Sequence, residues 1–327
     1  MAERPFVKGL ENIGTDTWAY VQPDGSWGWS NSGLIVDGED SLLVDTLFDE
    51  RLTAEMLSVM QKSTGIGAGD ITTLVNTHAN GDHTFGNRLV ANAEIIASEA
   101  CKEEMADLPP QTVHAMLQNA DSMGDAGAFI REIFAPFHFD GIELAMPTRT
   151  FRGNLELHVG GRPVQLMEVG PAHTRGDTLV YVPDQKVIYT GDILFVGGTP
   201  IIWAGPVENW ISACNLILDL DVDVVVPGHG PVTDKRGAQQ VRDYLEYILA
   251  ETRRRFDDGM PVERAVEDIA LAGFGSWSDA ERIVVNVHAL YGQFAGDLPE
   301  EPDMVDLFGR MARYRKHRMH GHHMHAH

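Results

Sequence analysis

The stretch Thr77-His78-Ala79-Asn80-Gly81-Asp82-His83-Thr84-Phe85-Gly86-Asn87 decides how this chain is read. It follows the apolar run Ile71-Thr-Thr-Leu-Val75, which ends in Asn76. Two imidazoles, a carboxylate and a carboxamide fall within six residues, and Gly81 lets the backbone turn sharply among them. Nitrogen and oxygen donors gathered at the end of a strand are the means by which a chain packs several metal ligands together. The plainer alternative, a polar turn with surface histidines, has to be weighed against the rest of the sequence.

Upstream, Thr15 to Val21 and Gly33 to Val36 read as strands, with a turn at Pro23-Asp24-Gly25 and the glycine-rich segment Trp27-Gly28-Trp29 between them. These tryptophans are either a hairpin packed on the core or an apolar wall over a pocket. Ser41-Leu-Leu-Val44 is a buried strand with Asp45 at its carboxyl end. Glu50 to Gln61 carries Leu52, Met56, Leu57 and Met60 at helical spacing. Ile71 to Asn76 is the next strand and Glu94 to Ala97 another. A strand–helix–strand order predicts an α/β sheet with its site at carboxyl ends, where Asp45 and the His78 cluster both fall.

From Ser98 to about Thr148 the pattern becomes helical, broken by Pro109-Pro110 and Gly124 and rich in methionine. This segment (98–148) is an insertion, expected to act as a lid or a dimer contact; His114 and His138 within it are structural or surface residues. Strands resume at Glu156 to Val159 and Val164 to Val169. They lead to His173, then to Lys186 through Tyr189 with Asp192 after it, and to Val222 through Val226, which runs into Pro227-Gly228-His229-Gly230. Asn209 to Leu220 is helical, as is most of Asp234 to Tyr291. The predicted divisions are a catalytic domain over 1–233, a helical extension over 234–312 and a disordered, histidine-rich tail over 313–327 lying outside the site.

The 327 residues are 43% hydrophobic, enough to bury a sizeable core, and carry a formal net charge of −23. So acidic a surface repels phosphate backbones and argues against a nucleic-acid partner. Two cysteines, Cys101 and Cys214, make no CxxC pair, which suits a reducing compartment. No apolar leader and no run near the ~20 residues of a membrane span is seen, so a cytoplasmic protein acting on a small molecule is expected.

Asp45, His78/Asn80/Asp82/His83, His173, Asp192 and His229 each sit at a strand-to-loop junction. Taken in that order, over about Thr15 to Thr233, they make the chain resemble the metallo-β-lactamase superfamily. The resemblance implies an αββα sandwich with a metal site along one edge between the sheets. It implies that His78 and His173 ligate a first metal and that Asp82, His83 and His229 ligate a second. Asp192 would bridge or serve one metal, and Asp45 would hold the ligand loop. Zn²⁺ suits such donors. The departure is Asn80, where the family carries histidine. A carboxamide is a poor zinc ligand, so of one or two metals per chain, one is favoured.

The implied chemistry is hydrolysis, with zinc-activated water attacking an electrophilic carbon of a small ester, thioester or lactone. Asp82 is expected to orient the water or shuttle its proton, and Asn80 to steady the developing anion. Arg175 is a candidate partner for a substrate carboxylate, and Trp27, Trp29, Trp203 and Trp210 are candidates for an aromatic-lined pocket. An altered ligand motif beside tryptophans also fits the superfamily's hydrolytic dehalogenation of a halogenated aromatic, as in chlorothalonil-dehalogenating enzymes. A non-hydrolytic iron redox protein is the alternative of another class. The helical segments offer apolar faces for a homodimer.

Overall fold

The computed structural model of the chain describes residues 6–296 and 303–324. Among them are twelve strands: β1 Gly9–Gly14, β2 Thr17–Val21, β3 Ser32–Asp37, β4 Asp40–Val44, β5 Thr73–Val75, β6 Glu94–Ser98, β7 Arg149–Phe151, β8 Asn154–Val159, β9 Arg162–Glu168, β10 Thr178–Val182, β11 Val187–Tyr189 and β12 Val224–Val226. The ten α-helices are α1 Glu50–Thr64, α2 Gly81–Thr84, α3 Glu99–Glu104, α4 Pro110–Asn119, α5 Gly124–Phe134, α6 Val207–Asp219, α7 Lys235–Asp257, α8 Val262–Asp268, α9 Ile283–Ala295 and α10 Met304–Met324.

The strands form a seven-stranded sheet ordered β1 through β7 and a five-stranded sheet ordered β12-β11-β10-β9-β8. Their side chains alternate, and each face has a partner. Leu42, Val44, Val75 and Ile96 of the first sheet meet Val180, Val182, Val187 and Tyr189 of the second in one apolar layer. The intervening residues Leu43, Leu74, Ile95, Leu179 and Ile188 point outward into a larger cluster shared with the helices. A strand apolar on both faces has to be covered on both sides, and the outcome is the expected αββα sandwich.

Two parallel pairs place the site. β4 runs parallel to β5 in one sheet, and β11 parallel to β12 in the other. All four carboxyl ends therefore emerge along one edge, carrying Asp45, the Thr77–His83 turn, Asp192 and His229. α1 opens this edge with a built N-cap, since Asp49 Oδ1 accepts from Leu52 N at 2.6 Å.

The sequence reading misses β1 and β7, and it overextends β5, which is three residues long. The segment expected to be helical, 98–148, carries α3, α4 and α5, and Phe129, Ile130, Ile133 and Phe134 of α5 are buried in the chain's own main core.

The disordered tail predicted from residue 313 is corrected. α10 continues to Met324, and Leu307, Phe308, Met311 and Ala312 are buried along one of its faces. Arg315 and Lys316 then pair with Glu132 and Asp125 of the insertion. The apolar i, i+1, i+4, i+5 pattern specifies this helix, but the histidine-rich composition around it obscures the pattern. The end of the tail, 325–327, lies outside the described residues. No helix among the described residues is long and apolar enough to cross a membrane.

Candidate metal centre and its pocket

The site is built outward from Asp45, which is 2% exposed and sits at φ 60° just past β4. Its Oδ1 accepts from Thr77 N at 2.7 Å, and its Oδ2 accepts from the Thr77 hydroxyl at 2.7 Å and from His83 Nδ1 at 2.9 Å. One buried carboxylate thus fixes both ends of the His78–His83 turn.

The remaining hydrogen bonds settle the tautomer of each histidine. The Thr77 hydroxyl spends its proton on Asp45, so its oxygen accepts from His78 Nδ1, 3.0 Å away. His173 Nδ1 donates to the Ile201 carbonyl at 2.7 Å, and His229 Nδ1 to the Gly25 carbonyl at 3.1 Å. With His83 Nδ1 held by Asp45, all four rings carry a proton on Nδ1 and turn Nε2 inward. Tethers of this kind orient metal-binding histidines and raise their basicity.

The four Nε2 atoms converge on Asp192. They lie 3.6 Å (His78), 3.1 Å (His83), 3.4 Å (His173) and 3.4 Å (His229) from its carboxylate. Asp82 completes the cluster, 3.2 Å from His229 Nε2 and 3.9 Å from His83 Nε2. The close approach needs glycine at 228, because a Cβ there would stand 2.0 Å from Asp192 Oδ1.

Electrostatics point to a cation. Burial pushes the His173 imidazole down to about 4, so that ring is neutral. Burial also lowers His78. For His229 burial pulls the same way, yet the carboxylates of Asp192 and Asp82 outweigh it and lift the ring to about 9. His83 is raised for the same reason. Burial opposes the ionised form of Asp192, but the surrounding histidines hold its carboxyl well below the usual range. Two carboxylates are drawing positive charge into a buried site.

The donor chemistry fits a divalent metal. His78, His83 and Asp192 bring ligand atoms within 4.8 Å of one another, as do Asp82, His83 and His229. His78 Nε2, His83 Nε2 and Asp192 Oδ1 are buried with no hydrogen-bond partner. Orphaned polar atoms of this kind are costly unless an ion engages them. His173 differs. Its Nε2 lone pair accepts from Asn80 Nδ2 at 3.0 Å, so the carboxamide at the variant position occupies the atom that a first metal needs.

The cluster forms the floor of a cavity of about 230 Å³. Of the residues singled out from the sequence, Asn80, Asp82, His173, Asp192, His229, Trp27 and Trp203 line it. Three do not. Trp210 is fully buried in the core beneath the site, where Nε1 donates to the Ile193 carbonyl at 2.9 Å and its ring meets His173 edge-on. Trp29 packs on Phe137 at 4.8 Å between ring centres. Arg175 turns to the surface, where it pairs with Glu104 and Asp107. A tryptophan or arginine near a motif carries no signal for which side of the backbone it occupies.

The sequence reading missed several wall residues: Phe48, Phe85, Phe134, Phe195, Arg282 and Phe308. Phe48 and Phe195 were within reach, lying three residues past Asp45 and Asp192 on the same strand ends. Phe195 stacks on His229 with 7° between the rings. Phe308 comes from the helical extension predicted over 234–312, which was not connected with the site.

Comparison with known proteins agrees with this geometry. The chain is 24% identical over 226 residues to the beta-lactamase-like protein 2 homolog of Caenorhabditis elegans, covering 68% of this chain and 63% of that one. It is 35% identical over 88 residues to the 2,4-dinitroanisole O-demethylase subunit alpha of Nocardioides sp. (strain JS1661), covering 25% and 26%. The chain thus spans less than two thirds of the length of either relative. A solved metallo-beta-lactamase from Pontibacter korlensis superposes with a TM-score of 0.54 at 19% identity, covering 72% of this chain and 98% of that one. The family profile described as Metallo-beta-lactamase superfamily matches residues 25–229. The chain belongs to the metallo-β-lactamase superfamily.

Proposed function

We propose that the protein is a metal-dependent hydrolase of a small organic molecule, with a single zinc ion held by Asp82, His83, Asp192 and His229. The observation that carries this reading is the convergence of tautomer-fixed Nε2 atoms and two carboxylates on the floor of an apolar pocket. A bound zinc ion supplies Lewis acidity and a water acidified to near neutral pH.

The chain's own groups do the rest. Asp82 lines the cavity beside the cluster and takes the proton of the attacking water, then returns it to the leaving group. Asn80 has one amide hydrogen committed to His173; its second hydrogen faces the work of steadying negative charge on the substrate. His173, neutral and fixed by Ile201, holds Asn80 in place. The aromatic walls exclude bulk water and strengthen each of these interactions.

An ester, thioester or lactone carbon is the general target. A second reading, hydrolytic displacement at a substituted aromatic ring, is favoured by the ring-lined pocket and by the local likeness to the dinitroanisole O-demethylase subunit.

The test is metal analysis on full-length protein with His320, His322, His323, His325 and His327 changed to serine, so that tail histidines do not add to the count. Truncation is avoided because it would remove part of α10. The expected result is about one zinc per chain, lost in Asp82→Ala and kept in His78→Ala, together with turnover of activated aryl esters. Two zinc ions per chain would overturn the single-metal assignment. Iron, or no turnover of any activated ester or halogenated aromatic, would overturn the hydrolase reading.

A further inference from the structure

We propose that α10 is the specificity wall of the pocket, and that the pocket takes an uncharged substrate group no larger than one substituted aromatic ring. The reaction at that group rests on the hydrolase reading above; the size and charge selection rests on the cavity itself.

Volume sets the size. A protein cavity of about 150 Å³ lined by apolar side chains holds a benzene molecule. The cavity here is about 230 Å³. The excess, about 80 Å³, accommodates two or three water-sized substituents and not a second fused ring with its own substituents. The walls are mainly ring faces and edges, among them Trp27, Phe48, Phe85, Phe134, Trp203 and Phe308. Aromatic walls gain most against another flat apolar group.

Charge sets the second limit. The one guanidinium in the lining among the described residues, Arg282, already has its charge paired, and only its Nε is buried without a hydrogen-bond partner. It pairs with Asp279 at 3.2 Å, donates to the Thr199 carbonyl at 3.0 Å, and lies against the rings of Trp27 and Phe195. Glu104 and Asp107 also line the cavity and share Arg175 between them. The two ligand carboxylates balance a divalent ion. An anionic substituent therefore meets the carboxylates of Glu104 and Asp107, while the guanidinium in the lining is already neutralised by Asp279.

α10 supplies Met304 and Phe308 to this wall. Phe308 is buried, with ring centres 6.2 Å from Trp27, 6.1 Å from Phe129 and 6.0 Å from Phe134. The helix is tied to the opposite wall through a relay. Arg315 reaches Glu281 at 3.3 Å, and Glu281 accepts from Trp27 Nε1 at 3.0 Å. One carboxylate thus sets the spacing of the Trp27 and Phe308 walls, which come from opposite ends of the sequence.

The experiment is calorimetric binding to the zinc-loaded, full-length protein, using three amides: benzamide, 2-naphthamide and 4-carbamoylbenzoate. Benzamide is expected to bind at least tenfold tighter than either of the others. Phe308→Ala is expected to reverse the ring-size order, and Phe308→Leu to preserve it. Met304→Trp fills the cavity from a half-buried position at the margin of the core, and is expected to weaken benzamide at least tenfold; it decides the matter if Phe308→Ala does not fold. Equal binding of the anion, or an unchanged ring-size order in Phe308→Ala together with unchanged benzamide binding in Met304→Trp, overturns the proposal. Selective binding without turnover of any aryl ester would sink the hydrolase reading alone. Turnover without size or charge selection would sink this inference alone.

Discussion

Consider the substitution Asp45→Asn. It is nearly isosteric, and it removes a buried charge rather than creating a hole. The carboxylate accepts three hydrogen bonds, from Thr77 N, the Thr77 hydroxyl and His83 Nδ1. An asparagine keeps one acceptor oxygen for Thr77 N and turns an NH₂ toward two donors. The conflict has one cheap resolution. His83 moves its proton from Nδ1 to Nε2 and accepts from the new amide, while the Thr77 hydroxyl rotates toward His78 Nδ1, 3.0 Å away. The first of these changes relocates a proton onto His83 Nε2, a nitrogen that the proposed zinc ion needs. Loss of such an outer hydrogen-bond partner costs roughly ten- to a hundredfold in metal affinity, or about 1.4–2.7 kcal/mol. The metal-free protein should lose little stability, on the order of 1 kcal/mol, because a neutral amide escapes the desolvation that burial imposes on Asp45. The assay is competition for zinc against a chromophoric chelator, run beside a thermal melt of the metal-free protein. Unchanged zinc affinity with an intact fold would refute the tautomer argument. So would a melt that collapses in the absence of metal, since Asp45 would then be holding the fold rather than the ligand.

Three further outcomes are expected. Asn80→His removes the hydrogen bond that occupies His173 Nε2 and supplies an imidazole, so zinc content by elemental analysis should rise from about one to about two per chain; a value still near one would show that Asn80 is not what limits the count. Gly228→Ala drives a Cβ to 2.0 Å from Asp192 Oδ1, so denaturant titration should show a loss of about 3 kcal/mol together with loss of bound metal, and a loss under about 1 kcal/mol would mean that the loop yields freely. His288 sits with Nδ1 donating to the Val284 carbonyl and Nε2 accepting from Arg310, facing Glu263 and Asp306 as well; burial is the largest effect and, helped by the Arg310 guanidinium, lowers its value below the usual 6.5 against the opposing Val284 hydrogen bond and the two carboxylates. The unfolded chain then binds this proton more readily, so the stability His288 contributes is present above pH 6.5 and is lost as pH falls below it. Melts in His288→Gln should show a shallower loss between pH 6.5 and 5 than the parent, and identical slopes would contradict the assignment.

The metal cluster was legible in the sequence because its residues are punctuated. Asp45, His78, Asp192 and His229 each close an apolar run, and a parallel sheet brings the ends of such runs to one edge. The two-faced strands were legible for a similar reason, since Leu42 to Val44 and Val224 to Val226 have no polar side to show to water. The pocket was not legible. Trp27 and Trp29 stand two residues apart, yet one faces the cavity and the other faces Phe137, and the loop that carries them is tied at Asn31 to the carbonyls of Pro227 and Gly230 far down the chain. Phe308 escaped notice because its partners, Trp27 and Phe134, lie in segments far from it in sequence. The histidines that follow it in the sequence drew the eye to composition instead of to the apolar stripe on α10.

Holding all four rings by Nδ1 also bears on the order of events in the protein's life. In many small metalloproteins the ion assembles its own ligands, and binding free energy is folding free energy. Here Asp45 and the carbonyls of Gly25 and Ile201 have aligned the rings beforehand. If the proposed metal site is right, the alignment of its rings does not wait for the ion, and the metal-free chain is expected to reach the same fold. Loading then becomes a question of supply and access rather than of conformation.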